Sequence, residues 1–268
     1  MSRPLAIALI FCIIVAIGII GLYSKLLHPS HDAKAEDANY ETMYLIGVHE
    51  FPPLIIYEDG YENEPTGFDR DMIRWIGNEM GFDVEFRLMA WSDVFNALDA
   101  KEIDMILGGP SITPGRLERF LFSDPYLSIS QSVVISEHGT MLMDDFWAGR
   151  GIVGAEGGTT SYEIVKTSLV DTGILPEENL KDYHPIEAGI QDLIDGEIDF
   201  LISDWPVMVQ LAQTYPVYII GSIETGEEYG IVIHKDNRKL QETINTGMDR
   251  LTASLDWDAM KQRYLLDY

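Results

Sequence analysis

Apolar strands and helical patterns alternate along this chain in two matching series, and that order restricts the fold more than any other feature. In the first series, residues 44–48 form a short apolar strand. Residues 54–57 are a second extended piece before a polar turn over 58–66. Across 71–80 the positions Ile73, Ile76, Gly77 and Met80 recur at helical spacing, and Gly81 ends the helix. Val84, Phe86 and Leu88 alternate as a strand, residues 92–98 read as a short helix, and 103–107 is a strand that is apolar apart from Asp104. The second series runs strand 151–155, helix 160–170, strand 180–184, helix 186–195 and strand 198–202. One phrase echoes between them: LDAKEIDMI at 98–106 and LIDGEIDFL at 193–201. This order predicts two similar α/β lobes, each a parallel sheet with helices on its faces. A strand at 231–233 and helices at 239–251 and 257–264 follow, and segments 126–130 and 225–229 are expected to cross between the lobes.

The N-terminus is of a different kind. Residues 5–23 are uncharged and apolar, long enough to span a bilayer. Ala33-Lys34-Ala35 has the form of a cleavage site but lies well past that run, so an uncleaved anchor is preferred to a cleaved signal. Either way the following domain is placed outside the cytoplasm, anchored to the cell membrane or, if cleaved, secreted or periplasmic. The single cysteine, Cys12, lies inside the run, and the bulky Phe11 before it argues against lipid attachment. The remainder has no thiol, hence no disulfide and no thiolate metal site. His28-Pro29-Ser30-His31 reads as part of a solvated tether, not as a metal site. Hydrophobic residues make up 46% of the 268, enough for a sizeable core. The net charge is −26, and the first 29 residues contribute only Arg3 and Lys25, so the rest is more acidic still. That excludes nucleic acid or an anionic membrane surface as a main partner.

In open α/β sheets, ligands bind beyond the carboxyl ends of the strands. Phe51 follows the first strand, Trp91 the second, and Gly109 and Ser111 the third; Gly158, Thr159 and Asp204 follow strands of the second series. Together they point to a cleft between lobes. The stretch Gly108-Gly109-Pro110-Ser111-Ile112-Thr113-Pro114-Gly115-Arg116 carries the most chemistry. Thr113 is a helix cap, Pro114 a first helical residue, and the glycines allow close backbone approach. Ser111 offers a hydroxyl and Arg116 a planar fork for a carboxylate. The plainer reading is a helix cap with a surface arginine. Gly157-Gly158-Thr159-Thr160-Ser161 repeats the pattern, without the lysine of a phosphate loop. Asp204 supplies the opposite charge. A buried free amino acid needs both ends paired, which Arg116 and Asp204 can do. A simple helix cap is the alternative for Asp204, and ordinary core for Phe51 and Trp91.

At these residues the chain resembles the family 3 extracellular solute-binding proteins, the polar amino-acid receptors of ABC importers. Three runs carry the resemblance: Gly67-Phe68-Asp69-Arg70-Asp71-Met72; Ser111 to Arg116 with Phe122-Ser123-Asp124-Pro125-Tyr126; and Glu228-Tyr229-Gly230-Ile231. It implies a two-lobed type II periplasmic-binding-protein fold, a Venus flytrap. Its segments are an anchor or signal at 1–28, a tether at 29–41, one lobe from 42–128 with 228–268, and the other from 129–227. It implies that Arg116 and Ser111 hold the α-carboxylate with the Thr159 region. Asp204 with the Gly109 carbonyl then takes the α-ammonium, and Phe51 and Trp91 enclose the side chain. Acids at Glu50 and Glu156 favour a cationic side chain. No cofactor or metal is implied. The partners are an amino acid, an ABC permease and, through the N-terminal run, the membrane; the protein is expected to be monomeric and not an enzyme.

Two other classes compete. Ser111, Asp204 and His234 follow the chain order of a hydrolase triad, but Thr113 replaces the final glycine of a nucleophile elbow. Dehydratases of the cyclohexadienyl type need a desolvated acid beside the ligand, which Val207, Met208 and Val209 do not offer. A sensory ectodomain is the second class; no kinase or further span follows the last helix, so signalling would require a partner.

Overall fold

The computed structural model describes residues 42–57 and 64–265. The apolar N-terminal run, the tether, the Ala33-Lys34-Ala35 site and most of the polar turn lie outside the described residues. Among the described residues no helix is long and apolar enough to cross a membrane.

Two five-stranded mixed sheets carry the chain. The first has the order β2-β1-β3-β10-β4. Its strands are β1 (Met43–Val48), β2 (Asp83–Leu88), β3 (Met105–Ile106), β4 (Phe120–Phe122) and β10 (Val232–His234). Strand β1 pairs in parallel with β2 and β3, while β10 runs antiparallel between β3 and β4. Helices α1 (Phe68–Met80), α2 (Trp91–Asp99), α8 (Arg238–Thr252) and α9 (Leu255–Tyr264) belong to this half, with the short α3 (Pro114–Arg119) before β4. The second sheet has the order β7-β6-β8-β5-β9. It comprises β5 (Leu127–Ser136), β6 (Val153–Ala155), β7 (Leu180–Asp182), β8 (Phe200–Asp204) and β9 (Val217–Tyr229), with α4 (Met143–Trp147), α5 (Thr160–Val165), α6 (Glu187–Asp195) and α7 (Trp205–Thr214). Strands β6, β7 and β8 are parallel; β5 is antiparallel to β8 and β9.

The repeated phrase has a physical basis. Asp104 accepts from the Leu45 amide at 2.8 Å, while its own amide donates to the Leu45 carbonyl at 2.7 Å. Asp199 does the same with Ile152, at 2.8 and 2.9 Å. In each sheet one carboxylate replaces a ladder bond where a buried strand meets its parallel neighbour. This is why the expected strand over 103–107 shortens to Met105–Ile106, and the one over 198–202 begins only at Phe200.

Other elements differ in extent from the expectation. The segments 126–130 and 225–229 are the ends of the longest strands, paired from Leu127↔Tyr229 to Ser136↔Val217 with register shifts after Ile129 and Val133. Strand β9 begins well before residue 225, and only its two end residues, Val217 and Tyr229, are buried, so its full length carries no core-strand signal. The helix expected over 160–170 is α-helical to Val165 and then a π-turn over Lys166–Val170. There the Thr167 hydroxyl bonds the Glu163 carbonyl at 2.6 Å, a back-bond that disturbs helix geometry.

The start of α1 is fitted into the turn that follows β1. The Phe68 and Asp69 amides, free at a helix N-terminus, donate to the carbonyls of Pro53 and Leu54 at 3.0 and 3.1 Å. Gly67 makes this possible: its φ is 120°, and a Cβ there would lie 2.3 Å from the Leu54 carbonyl oxygen. Gly67→Ala therefore faces both backbone strain and a clash with main chain. It is expected to lower the unfolding free energy by about 2 kcal/mol or more in urea titration; an unchanged midpoint would show that the turn can shift away.

Candidate functional site

The loop after β3 is shaped by Asp69. Gly108 and Gly109 have φ of 99° and 73°, which turns both amides toward one oxygen of that carboxylate at 2.8 and 3.2 Å. The Tyr126 hydroxyl donates to the same oxygen at 2.8 Å. Burial pushes Asp69 up to about 6, opposed by these three donors. A Cβ on Gly109 would meet the Leu54 side chain at 2.8 Å and the Tyr229 ring at 3.0 Å, so the loop can approach β9 only as glycine. Ser111 then bridges Tyr229 through backbone hydrogen bonding. Thr113 caps α3, its hydroxyl accepting from the Arg116 amide at 3.3 Å, with Pro114 next.

That cap turns Arg116 back over the loop. Its guanidinium donates to the Ser111 carbonyl at 2.9 Å and to the Gly158 carbonyl at 3.3 Å. It lies over the rings of Trp91 and Phe95, 5.2 and 4.9 Å from their centroids. The Trp91 indole N–H also donates to the Gly158 carbonyl, at 3.2 Å. Burial lowers Arg116 to about 10, opposed by the charges of Asp204 and Glu227, so it remains a cation at neutral pH.

Across from it stands a polar cluster. Asp204 occupies the cap position of α7 yet makes no capping bond. Its carboxylate instead accepts from the Gln131 amide at 2.5 Å and from the Tyr229 hydroxyl. Asp204 is 6% exposed; burial, helped by the Glu227 charge, pushes it up to about 6 against those bonds and Arg116. Glu227 receives Ser111 Oγ at 3.1 Å, Thr160 Oγ1 at 2.9 Å and Gln131 Nε2 at 3.2 Å, all on one oxygen. Thr159 caps α5, accepting from the Tyr162 amide at 3.3 Å and donating to the Glu156 carbonyl at 2.6 Å.

Beside this cluster lies a chamber of about 410 Å³ walled by His49, Glu50, Trp91, Glu156, His184 and Glu187, with Leu88 and Met89 among its apolar lining. The His49 ring packs against Trp91 at 4.7 Å and Phe51 at 4.9 Å. Burial first, then the Arg116 charge, lowers His49 to about 3, so it is neutral, and its Nδ1 has no hydrogen-bond partner. Glu156 is 5% exposed and is pushed up to about 8 by burial, then by Glu187, Asp182 and Asp204. Burial and the Glu50 charge also raise Glu187, whose Oε1 is buried and has no partner.

Residues 44–267 match the profile of the bacterial extracellular solute-binding proteins, family 3. The chain belongs to this family. It is 25% identical over 241 residues to the probable histidine-binding protein of Neisseria gonorrhoeae, covering 87% of each chain. It is 24% identical over 221 residues to the arginine-binding periplasmic protein of Mannheimia haemolytica, covering 80% of this chain and 87% of that one. Among solved structures, an ancestral arginine-binding protein bound to arginine superposes with a TM-score of 0.75 at 26% identity, over 85% of this chain and all of that one.

In this solute-binding protein the positions singled out from sequence do converge, though not all in the expected manner. Arg116, Ser111 and Asp204 join one cluster, and neither a surface arginine nor a simple Asp204 cap describes them. Trp91, Glu50 and Glu156 wall the chamber, while Phe51 sits behind His49. Thr159 spends its hydroxyl on its own turn. Gln131, Glu227, His184 and Glu187 were not anticipated. The strand-end rule, applied to the strand over 180–184, would have reached His184 and Glu187. Glu227 and Gln131 sit on β9 and β5, which were expected only as the short crossings 225–229 and 126–130. His234 lies in a separate cavity with Lys101 and Asp104, its Nδ1 accepting from the Asp236 amide at 3.1 Å, so Ser111, Asp204 and His234 form no triad. A desolvated acid does stand beside the chamber, contrary to the reading of residues 207–209: it is Glu156, from the end of β6.

Glu156 gives a pH test of the empty protein. Its folded value of about 8 lies above its ordinary 4.5, so between these the folded state keeps a proton that the unfolded chain has lost. Stability therefore falls as pH rises through that window, by up to about 1.4 kcal/mol per pH unit from this group. Glu156→Gln is expected to flatten the decline in urea titrations at stepped pH; an identical slope would contradict the burial of this acid.

Proposed function

We propose that this solute-binding protein captures a free amino acid with a cationic side chain and delivers it to the permease of an ABC importer. The observation that carries the reading is the pairing of opposite charge preferences around one indole. Trp91 walls the acidic chamber, and Arg116 lies over its ring. An amino acid spanning that divide would meet a half-buried guanidinium at its carboxylate and three carboxyl groups, Glu50, Glu156 and Glu187, at its side-chain cation. Ser111 and the amides near Thr159 add donors for the carboxylate. Asp204, with the Gly109 carbonyl, takes the ammonium. Trp91 and, through His49, Phe51 shape the apolar walls.

Residues 42–128 with 228–268 act as one lobe and 129–227 as the other, with β5 and β9 as the hinge. Trp91 and Arg116 both reach the Gly158 carbonyl across the cleft, the kind of contact that closure requires. Only a ligand that binds the closed state better than the open one drives closure. The apolar N-terminal run tethers the monomer outside the cytoplasm, beside its permease. The relatives named for histidine and arginine fit the charge preference. Glu156 is the one feature that favours an enzyme, since a protonated acid could serve a cyclohexadienyl-type dehydratase. A dicarboxylate substrate would be repelled by Glu50 and Glu187, so binding is the better reading.

The test is calorimetric titration of protein stripped of carried ligand by unfolding and refolding, against the twenty amino acids. Arginine or lysine should bind saturably, neutral residues at least about tenfold more weakly, and glutamate not at all. Arg116→Ala or Asp204→Ala should weaken binding by about 2–4 kcal/mol, the scale of a lost buried charge-assisted pair. Tightest binding of glutamate or glutamine would refute the charge assignment, and no binding by any amino acid would refute the receptor reading.

A further inference from the structure

The acidic chamber holds more carboxyl groups than it can keep ionised while empty. Glu156 and Glu187 wall it together with Glu50. Every element around Glu156 adds to the problem. The loop after β1 brings Glu50 and a neutral His49, the end of β7 brings Asp182, α6 brings Glu187, and the end of β8 brings Asp204. The nearest basic side chain is His184, half exposed, with Nδ1 3.7 Å from Glu156 and Nε2 3.0 Å from Asp182. Arg116 is occupied with the Ser111 and Gly158 carbonyls. Carboxylates that share a site cannot all ionise without a counter-charge, and one of them keeps its proton. The buried, unpartnered Oε1 of Glu187 marks where a donor is missing. An ionised oxygen left so is strongly disfavoured, whereas a guanidinium or ammonium brings donors and charge together.

Resting on the cationic-ligand reading, we propose that Glu156 and Glu187 hold one proton between them in the empty chamber and that the ligand's side-chain cation displaces it to solvent. The charge balances: one proton leaves as one positive group enters, and the two carboxyl groups become two carboxylates paired with the ligand. Capture is then coupled to proton release, and affinity depends on pH in a range where neither lysine nor arginine changes its own charge. Because the empty-state value of Glu156 is about 8, the Kd should fall about tenfold per pH unit from about 6 to 8 and level off above.

The experiment is calorimetry of the full chain in mild detergent with arginine near pH 7, in two buffers of different ionisation enthalpy, which counts protons directly. Wild type should release about one proton per arginine bound. Glu156→Gln should bind arginine more weakly at pH 8, release no proton, and show a Kd nearly flat with pH; Glu187→Gln should cut the release likewise and serves if the first variant does not fold. Arginine binding without proton release, or release that persists undiminished in both variants, overturns the inference while leaving the cationic-ligand reading intact. If neither arginine nor lysine binds, the ligand reading itself fails, and the coupling with it.

Discussion

The Tyr229 hydroxyl bonded to Asp204 is the contact on which the geometry of the cleft depends. Tyr229 is fully buried at the end of β9, where the second sheet hands the chain back to the first. Its backbone bridges Ser111, and its carbonyl receives the Tyr126 amide at 3.0 Å. Its ring presses on Gly109, and its hydroxyl fixes the carboxylate at the end of β8. One residue thus sets the loop after β3, the return strand and the acid of the opposite sheet relative to one another. The two glycines at the mouth of β3 serve this approach: Asp69 holds both amides from one side, while Tyr229 and Leu54 fill the space a side chain at Gly109 would need and His49 the space at Gly108.

Much of the fold was legible because parallel sheets write themselves in apolar runs separated by helical periods. The echo between 98–106 and 193–201 was legible as similarity before its meaning was visible. Asp104 and Asp199 are each the lone charge at the start of a buried strand, and each closes a backbone hydrogen bond to the neighbouring strand. What the sequence concealed was the long antiparallel pair. The second half of strand β9, from Glu224 to Glu228, is charged or small, and between its two buried ends every residue is only partly covered or exposed, so the burial period of a core strand is missing. Its last residues, 225–229, were legible as a crossing between the lobes, but its extent and its pairing with β5 were not.

The site shows the same division. Arg116, Ser111 and Asp204 could be picked out because opposite charges at strand ends have a chemical purpose that composition alone lacks. Their actual partners could not. Gln131 meets Asp204 because the two are register neighbours on β5 and β8, and Glu227 reaches Ser111 and Thr160 only once β9 is in place. Strand-end residues are visible in one dimension, whereas ladder neighbours require the register.

The Gly158 carbonyl, which receives both Trp91 and Arg116, is a main-chain atom. No side-chain replacement in its loop can delete that acceptor. What the position must conserve is a backbone angle, φ of 77°, that glycine adopts without strain. This contact is therefore encoded as a conformation and not as a functional group. Residues around it can change without removing the acceptor that ties Trp91 and Arg116 to the loop after β6.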